Sequence, residues 1–194
     1  MGHCETYVGR DPMELPDATY LYTLALIAIG YVGFTAIVLI LRQSLGGALS
    51  SLDALVARLF MVRGFVVTYL SMMPMLLASF ELSRTTVWQV SSTIGGLSLV
   101  VVHVGYQVLR GQITGGPTPL HLWFYTLSGF TFGIALLANA SAIVPTAIAG
   151  IYVTAVTLDM IQASVAFVHH FGLMIRELQT QRKRSVVASR GRAK

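Results

Sequence analysis

Asp159 is a carboxylate inside an apolar run, Thr146–Ile175, in a chain that is mostly apolar. Placing a charge at bilayer depth costs about 3 kcal/mol on insertion scales, so such a group faces a protein interior or a water-filled cavity. At three- and four-residue steps Asp159 shares a helical stripe with Tyr152, Ala155, Gln162, Ala163, Ala166 and His170. That stripe is small and polar, as a cavity lining or a close helix contact requires. Val153, Val156, Met160, Val165, Phe167 and Val168 fill most of the remaining surface and suit lipid or apolar neighbours. His170 falls about 20° from Asp159 on the helical wheel and His169 about 80° away, which favours His170 for the interior.

A second, weaker polar face joins Ser92, Gly96, His103, Gln107 and Arg110. At 1.5 Å per residue, His103 lies about 9 Å from Leu109 and His170 about 8 Å from Ile175, in one layer near one membrane surface. Arg63 lies about 14 Å from that surface and Asp159 about 24 Å, so a direct pair needs a long reach, helix tilt or a bridging water. Three functions suit these residues. The first is a proton or ion path, channel- or transporter-like, with Asp159 as the titrating or ion-facing group. Gln162, Asn139 and Thr157 would support it, with Arg63, His103 and His170 along the path. The second is a structural or accessory membrane subunit in which Asp159 pairs with Arg63 or a hydroxyl to fix helix register. The third is a b-type haem subunit with His103 and His170 as axial ligands. Neither histidine has a supporting carboxylate at a diagnostic spacing, so the expectation is no haem, no metal and no other cofactor.

Composition sets the frame for these residues. Of 194 residues, 55% are hydrophobic and 11% charged, with a mean hydropathy of +0.71. A soluble domain has roughly 25% charge, so this chain would cover a water-facing surface poorly. It is long enough for five to six spans of about 20 residues. The single cysteine, Cys4, allows no intramolecular disulfide. An acidic first segment and a long first apolar run do not suit a secretory signal. No P-loop, dinucleotide-binding glycine pattern, His-Glu-x-x-His or Gly-x-Ser-x-Gly occurs in the sequence, so nothing in it points to a soluble enzyme.

An all-α bundle of five transmembrane helices is therefore expected, over Tyr20–Leu41, Ala54–Phe80, Val87–Leu109, Leu122–Val144 and a fifth running to about Ile175. Asp17 is a plausible N-cap of the first, and Pro74 a kink in the second. Trp88, Trp123 and Tyr125 read as interfacial aromatics. Gly115-Gly116-Pro117 and Pro119 mark a loop, and Pro145 a boundary. Residues 1–18 form an acidic arm, 19–175 the membrane domain, and 176–194 a basic tail. An interfacial helical stub reaches Leu178 before the tail loses order.

Seven Lys/Arg fall between Arg176 and Lys194, against one acid, Glu177. With the N-terminus outside, ten basic residues lie on the cytoplasmic side (the tail, Arg42, Arg58 and Arg110) and two, Arg10 and Arg84, outside. The expected location is the inner (cytoplasmic) membrane, multi-pass. The expected partners are the bilayer and anionic lipid at the basic tail, rather than nucleic acid. Gly30, Gly33, Gly95-Gly96 and Gly129-x-x-x-Gly133 suit close helix packing, within one bundle or, alternatively, in a homo-oligomer.

The run Tyr31-Val32-Gly33-Phe34-Thr35-Ala36, then Leu41-Arg42-Gln43 with Gly46-Gly47, and later Trp88-Gln89-Val90-Ser91-Ser92, resembles small bacterial polytopic integral membrane proteins. The resemblance lies mainly in the first half. It implies a helical membrane fold and transfers no role to any residue.

Overall fold

The computed structural model describes residues 15, 17–44, 50–114, 120–141 and 148–192; the side chains at 121–122 and 173–192 lie outside the description. Most of the acidic arm, Cys4, both glycine loops and Pro145 lie outside it as well. The described residues form five helices: α1 Ala18–Ser44, α2 Ser51–Ala78, α3 Arg84–Thr114, α4 Leu120–Ala140 and α5 Ile148–Arg192. α1, α2, α3 and the 148–172 part of α5 are long and apolar enough to cross a membrane.

Local chemistry sets the helix starts. The Asp17 carbonyl accepts from the Leu21 amide at 3.0 Å, opening α1 at the expected residue. A capping box starts α2. Ser50 Oγ accepts from the Asp53 amide, and the Asp53 carboxylate accepts from the Ser50 amide. This satisfies two amides that the first helical turn leaves unpaired. Ser83 Oγ accepts from the Thr86 amide and starts α3 at Arg84, three residues before the expected Val87. Pro74 is buried within α2, which continues to Ala78.

Other boundaries differ too: α3 runs to Thr114, past the expected Leu109, and the ends of α1 and α2 shift by two or three residues. α4 ends at Ala140, with the Ser141 amide bonded to the Ala138 carbonyl, rather than at Val144. α5 does not stop near Ile175; its backbone stays helical to Arg192. No glycine or proline interrupts the stretch 173–190, and its alanine, leucine, glutamine, lysine and arginine residues favour helix.

Consecutive helices pack side by side, and α5 returns against α2. The glycines set these contacts. A side-chain carbon on Gly96 would lie 2.8 Å from the Gly133 carbonyl, so α3 and α4 approach backbone to backbone. Val32 of α1 fills the space that a side chain on Gly64 of α2 would need. The Gly95-Gly96 and Gly129–Gly133 motifs are therefore used within the chain, while Gly30 and Gly33 face open space.

The core runs through Leu21, Leu70, Trp88, Leu99, Leu136 and Tyr152, all nearly inaccessible. Trp88 is thus not interfacial. It is 2% exposed and its ring centroid lies 5.6 Å from that of Tyr152. The outer surface is apolar, with Ile27, Phe65, Val101, Phe124, Ile134 and Val168 all more than half exposed. An apolar exterior on this scale is that of a multi-pass membrane protein rather than a soluble one.

Candidate functional site: a buried ion pair and the cavity beside it

α5 turns Tyr152, Ala155, Asp159, Gln162, Ala163 and Ala166 inward. Val156, Met160 and Phe167, which the sequence assigns to the lipid side or to apolar neighbours, are buried too, because α1, α2 and α4 flank this helix. Arg63, on the buried face of α2 between Phe60 and Val67, forms a direct ion pair with Asp159. The two side chains are 3% and 1% exposed, which makes both charges interior. Arg63 Nη2 donates to Asp159 Oδ1, to the Asp159 carbonyl at 3.1 Å and to Gln162 Oε1 at 3.3 Å. Gln162 Nε2 then donates to the Tyr125 carbonyl at 2.5 Å, joining α2, α5 and α4.

The direct pair corrects the depth arithmetic. Ile175 is not a helix end, so counting from it places Asp159 too far from Arg63. The helices themselves supply the register. Tyr152 OH donates to the Leu70 carbonyl at 2.6 Å. Seven residues along each helix lies the Arg63–Asp159 pair. A further ten on α2 and eleven on α5 bring Asp53 Oδ1 within 3.6 Å of His170 Nε2. The first two rungs hold α2 and α5 antiparallel, and the Asp53–His170 contact, an ion pair only when the imidazole is protonated, continues nearly the same register.

The last rung belongs to a cluster that the sequence reading did not single out. Arg42, at the end of α1, is 8% exposed and meets Asp53 Oδ2 at 2.9 Å. Its signal was the Ser50-Ser51-Leu52-Asp53 capping pattern, which places a carboxylate in the first turn of α2. Arg42 therefore does not face solvent. Phe60, Phe167 and Tyr31 stack edge to face above this cluster, and Tyr31 OH donates to the Ala163 carbonyl at 3.2 Å.

A cavity of about 60 Å³ lies against Arg63, between α2, α3, α4 and α5. It has room for a few water molecules. Its polar lining is Arg63, His103, Tyr106, Tyr125, Thr126 and the neighbouring His169 and His170; among the described residues no carboxylate lines it. Val56, Leu59, Phe60 and Ala166 complete the wall. His169 is exposed and His170 half-buried, so both stand at one end while Arg63 closes the other.

Two buried atoms of the ion pair have no hydrogen-bond partner: Arg63 Nε and Asp159 Oδ2. Unsatisfied buried groups are uncommon and mark strain, hydration or function. Ser71 Oγ, Ser91 Oγ and Trp88 Nε1 are further such atoms.

The other sequence candidates separate from this pair. Asn139 Nδ2 donates to Ser92 Oγ and to the Ile148 carbonyl, both at 2.9 Å. It thereby fastens α4 to α3 and to the start of α5, eleven residues from Asp159. Thr157 bonds Tyr20 OH at 2.9 Å on the α1 side. Neither reaches the ion pair. Gln107 Nε2 donates to Thr126 Oγ1 at 2.6 Å and joins α3 to α4.

His103 does not suit a haem. Its Nδ1 bonds the Leu99 carbonyl at 2.8 Å, and its Nε2 occupies the space that a side chain on Gly129 would need. Among the described residues no three His, Cys, Asp or Glu side chains gather where they could hold a metal ion.

No protein-family model, characterised protein or solved structure matches the chain.

Proposed function

We propose that the chain is a five-span protein of the inner (cytoplasmic) membrane, N-terminus outside and basic tail inside, that carries a proton or small ion past Asp159. The observation that carries this reading is a buried ion pair with a cavity against it. Arg63 stands at one end of that cavity and two histidines at the other. Arg63 lines the cavity and Asp159 is its buried partner, so water or an ion that reaches Arg63 bears on the charge of an intramembrane carboxylate one contact away. The basic residues support the orientation. Arg42 meets the start of α2, and Arg58 lines a groove with Tyr106 and Leu109. These belong to the end where α5 carries on into the basic tail. α4, at 21 residues, spans about 31 Å and matches a hydrocarbon core of about 30 Å.

A second reading, a structural subunit without flux, is favoured by the three α2–α5 rungs, of which the ion pair is the middle one. Asp159→Asn separates the two. It keeps the shape and an acceptor for Arg63 but removes the charge. On the transport reading, wild-type protein in liposomes shows flux driven by a pH gradient and the variant shows none. The fold holds because cavity water hydrates Arg63. On the structural reading, neither protein conducts, and the variant loses about 3–5 kcal/mol because Arg63 is left uncompensated in a dry interior.

A further inference from the structure

We propose that the cavity beside Arg63 binds one small monovalent anion, halide to formate in size, together with one proton carried on Asp159 Oδ2. This deepens the transport reading and rests on it, because it names what the path would carry.

The lining is the first argument. Arginine offers five donors and no acceptor, and Arg63 lines the cavity with a guanidinium that Asp159 and Gln162 engage through Nη2 alone. Tyr106, Tyr125 and Thr126 add polar residues to the wall, and among the described residues no carboxylate lines the space to repel an anion. A cavity of about 60 Å³ has room for a small ion.

Charge balance is the second. Arg63 and Asp159 are neutral together, so an anion arriving alone would leave an uncompensated negative charge in the interior, which is costly. A proton arriving with it restores neutrality. The vacant position for that proton is Asp159 Oδ2, which is buried and has no partner. The other titratable groups around the pair are less suited. Tyr31 on α1 donates its hydroxyl to the Ala163 carbonyl. His103 on α3 has Nδ1 on the Leu99 carbonyl and Nε2 packed against Gly129. Tyr106 on α3 and Tyr125 on α4 line the cavity with phenol side chains. His169 and His170, with Asp53 opposite, lie ten or more residues further along α5, about 15 Å away.

Bromide is the probe, because it stays an anion at every working pH. Its binding to the purified full chain in mild detergent is read by bromide NMR line broadening between pH 5.5 and 7.5. Wild-type protein is expected to bind about tenfold more weakly for each pH unit gained, the signature of one coupled proton. Asp159→Asn, which fixes the neutral state, should bind more tightly at pH 7.5 and lose the pH dependence. Arg63→Gln combined with Asp159→Asn removes both charges together and should not bind, with thermal unfolding confirming that it folds. No saturable bromide binding, pH-independent binding by wild type, or binding retained in the double variant would each overturn the proposal. Proton-coupled binding without flux would leave this inference standing and remove the transport reading. Flux without bromide binding would do the opposite.

Discussion

At Gly129 the absence of one carbon atom decides where an imidazole can sit. The His103 ring occupies the volume that a side chain there would take, and its Nδ1 is held by the Leu99 carbonyl. Gly129→Ala is expected to force the ring out of place and destabilise the protein by about 1–3 kcal/mol. Gly105→Ala, where nothing lies within 4 Å of the added carbon, should be close to neutral. Combining Gly129→Ala with His103→Ala should recover part of the loss, measured as a thermal-unfolding cycle in detergent. Equal losses for the two glycine variants would show that His103 does not occupy that space. The small residue at 129 was visible in the sequence as half of a Gly-x-x-x-Gly motif. Its partner was not, because a spacing names no opposing side chain. Asp159 and Gln162 were legible for a different reason: helical periodicity fixes which residues share a stripe, whatever lies opposite.

Among the elements, α2 and α5 are joined at Leu70–Tyr152, Arg63–Asp159 and Asp53–His170. Five helices could be read from apolar length, and four of them are long and apolar enough to span a membrane, but the α2–α5 register could not be read. Depth was counted from Ile175, and α5 has no end there. Trp88 was misplaced by a similar shortcut, since an aromatic near a helix start is interfacial only when its own face of the helix is exposed. Asp53 joins the two kinds of information. It caps α2, which is a local signal, and it also meets Arg42 and His170, which are distant in sequence. Asp53→Asn should therefore lower stability by about 1–3 kcal/mol, the cost of leaving buried Arg42 without its charged partner. Arg42→Gln combined with Asp53→Asn should cost less than Asp53→Asn alone, read from unfolding midpoints. If the combined variant is the less stable one, the Arg42 contact is not what Asp53 supplies.

For the whole molecule, five antiparallel crossings would put the two termini in opposite compartments. Reporter fusions at Gly9 and Ser189 are expected to report opposite sides, with the Ser189 reporter cytoplasmic. Reporters on one side would require an even number of crossings and would remove α4 or another helix from the membrane. α5 links this scale to the ion pair, since one unbroken helix of 45 residues carries both Asp159 and the backbone of the basic tail. A rod of that kind has a phase as well as a length. Adding a single residue after Ile175 would turn everything beyond it by about 100° and advance it by about 1.5 Å, whereas adding seven would bring it back to within about 20° of its original bearing. The direction in which the tail presents itself is thus indexed to the direction in which Asp159 points.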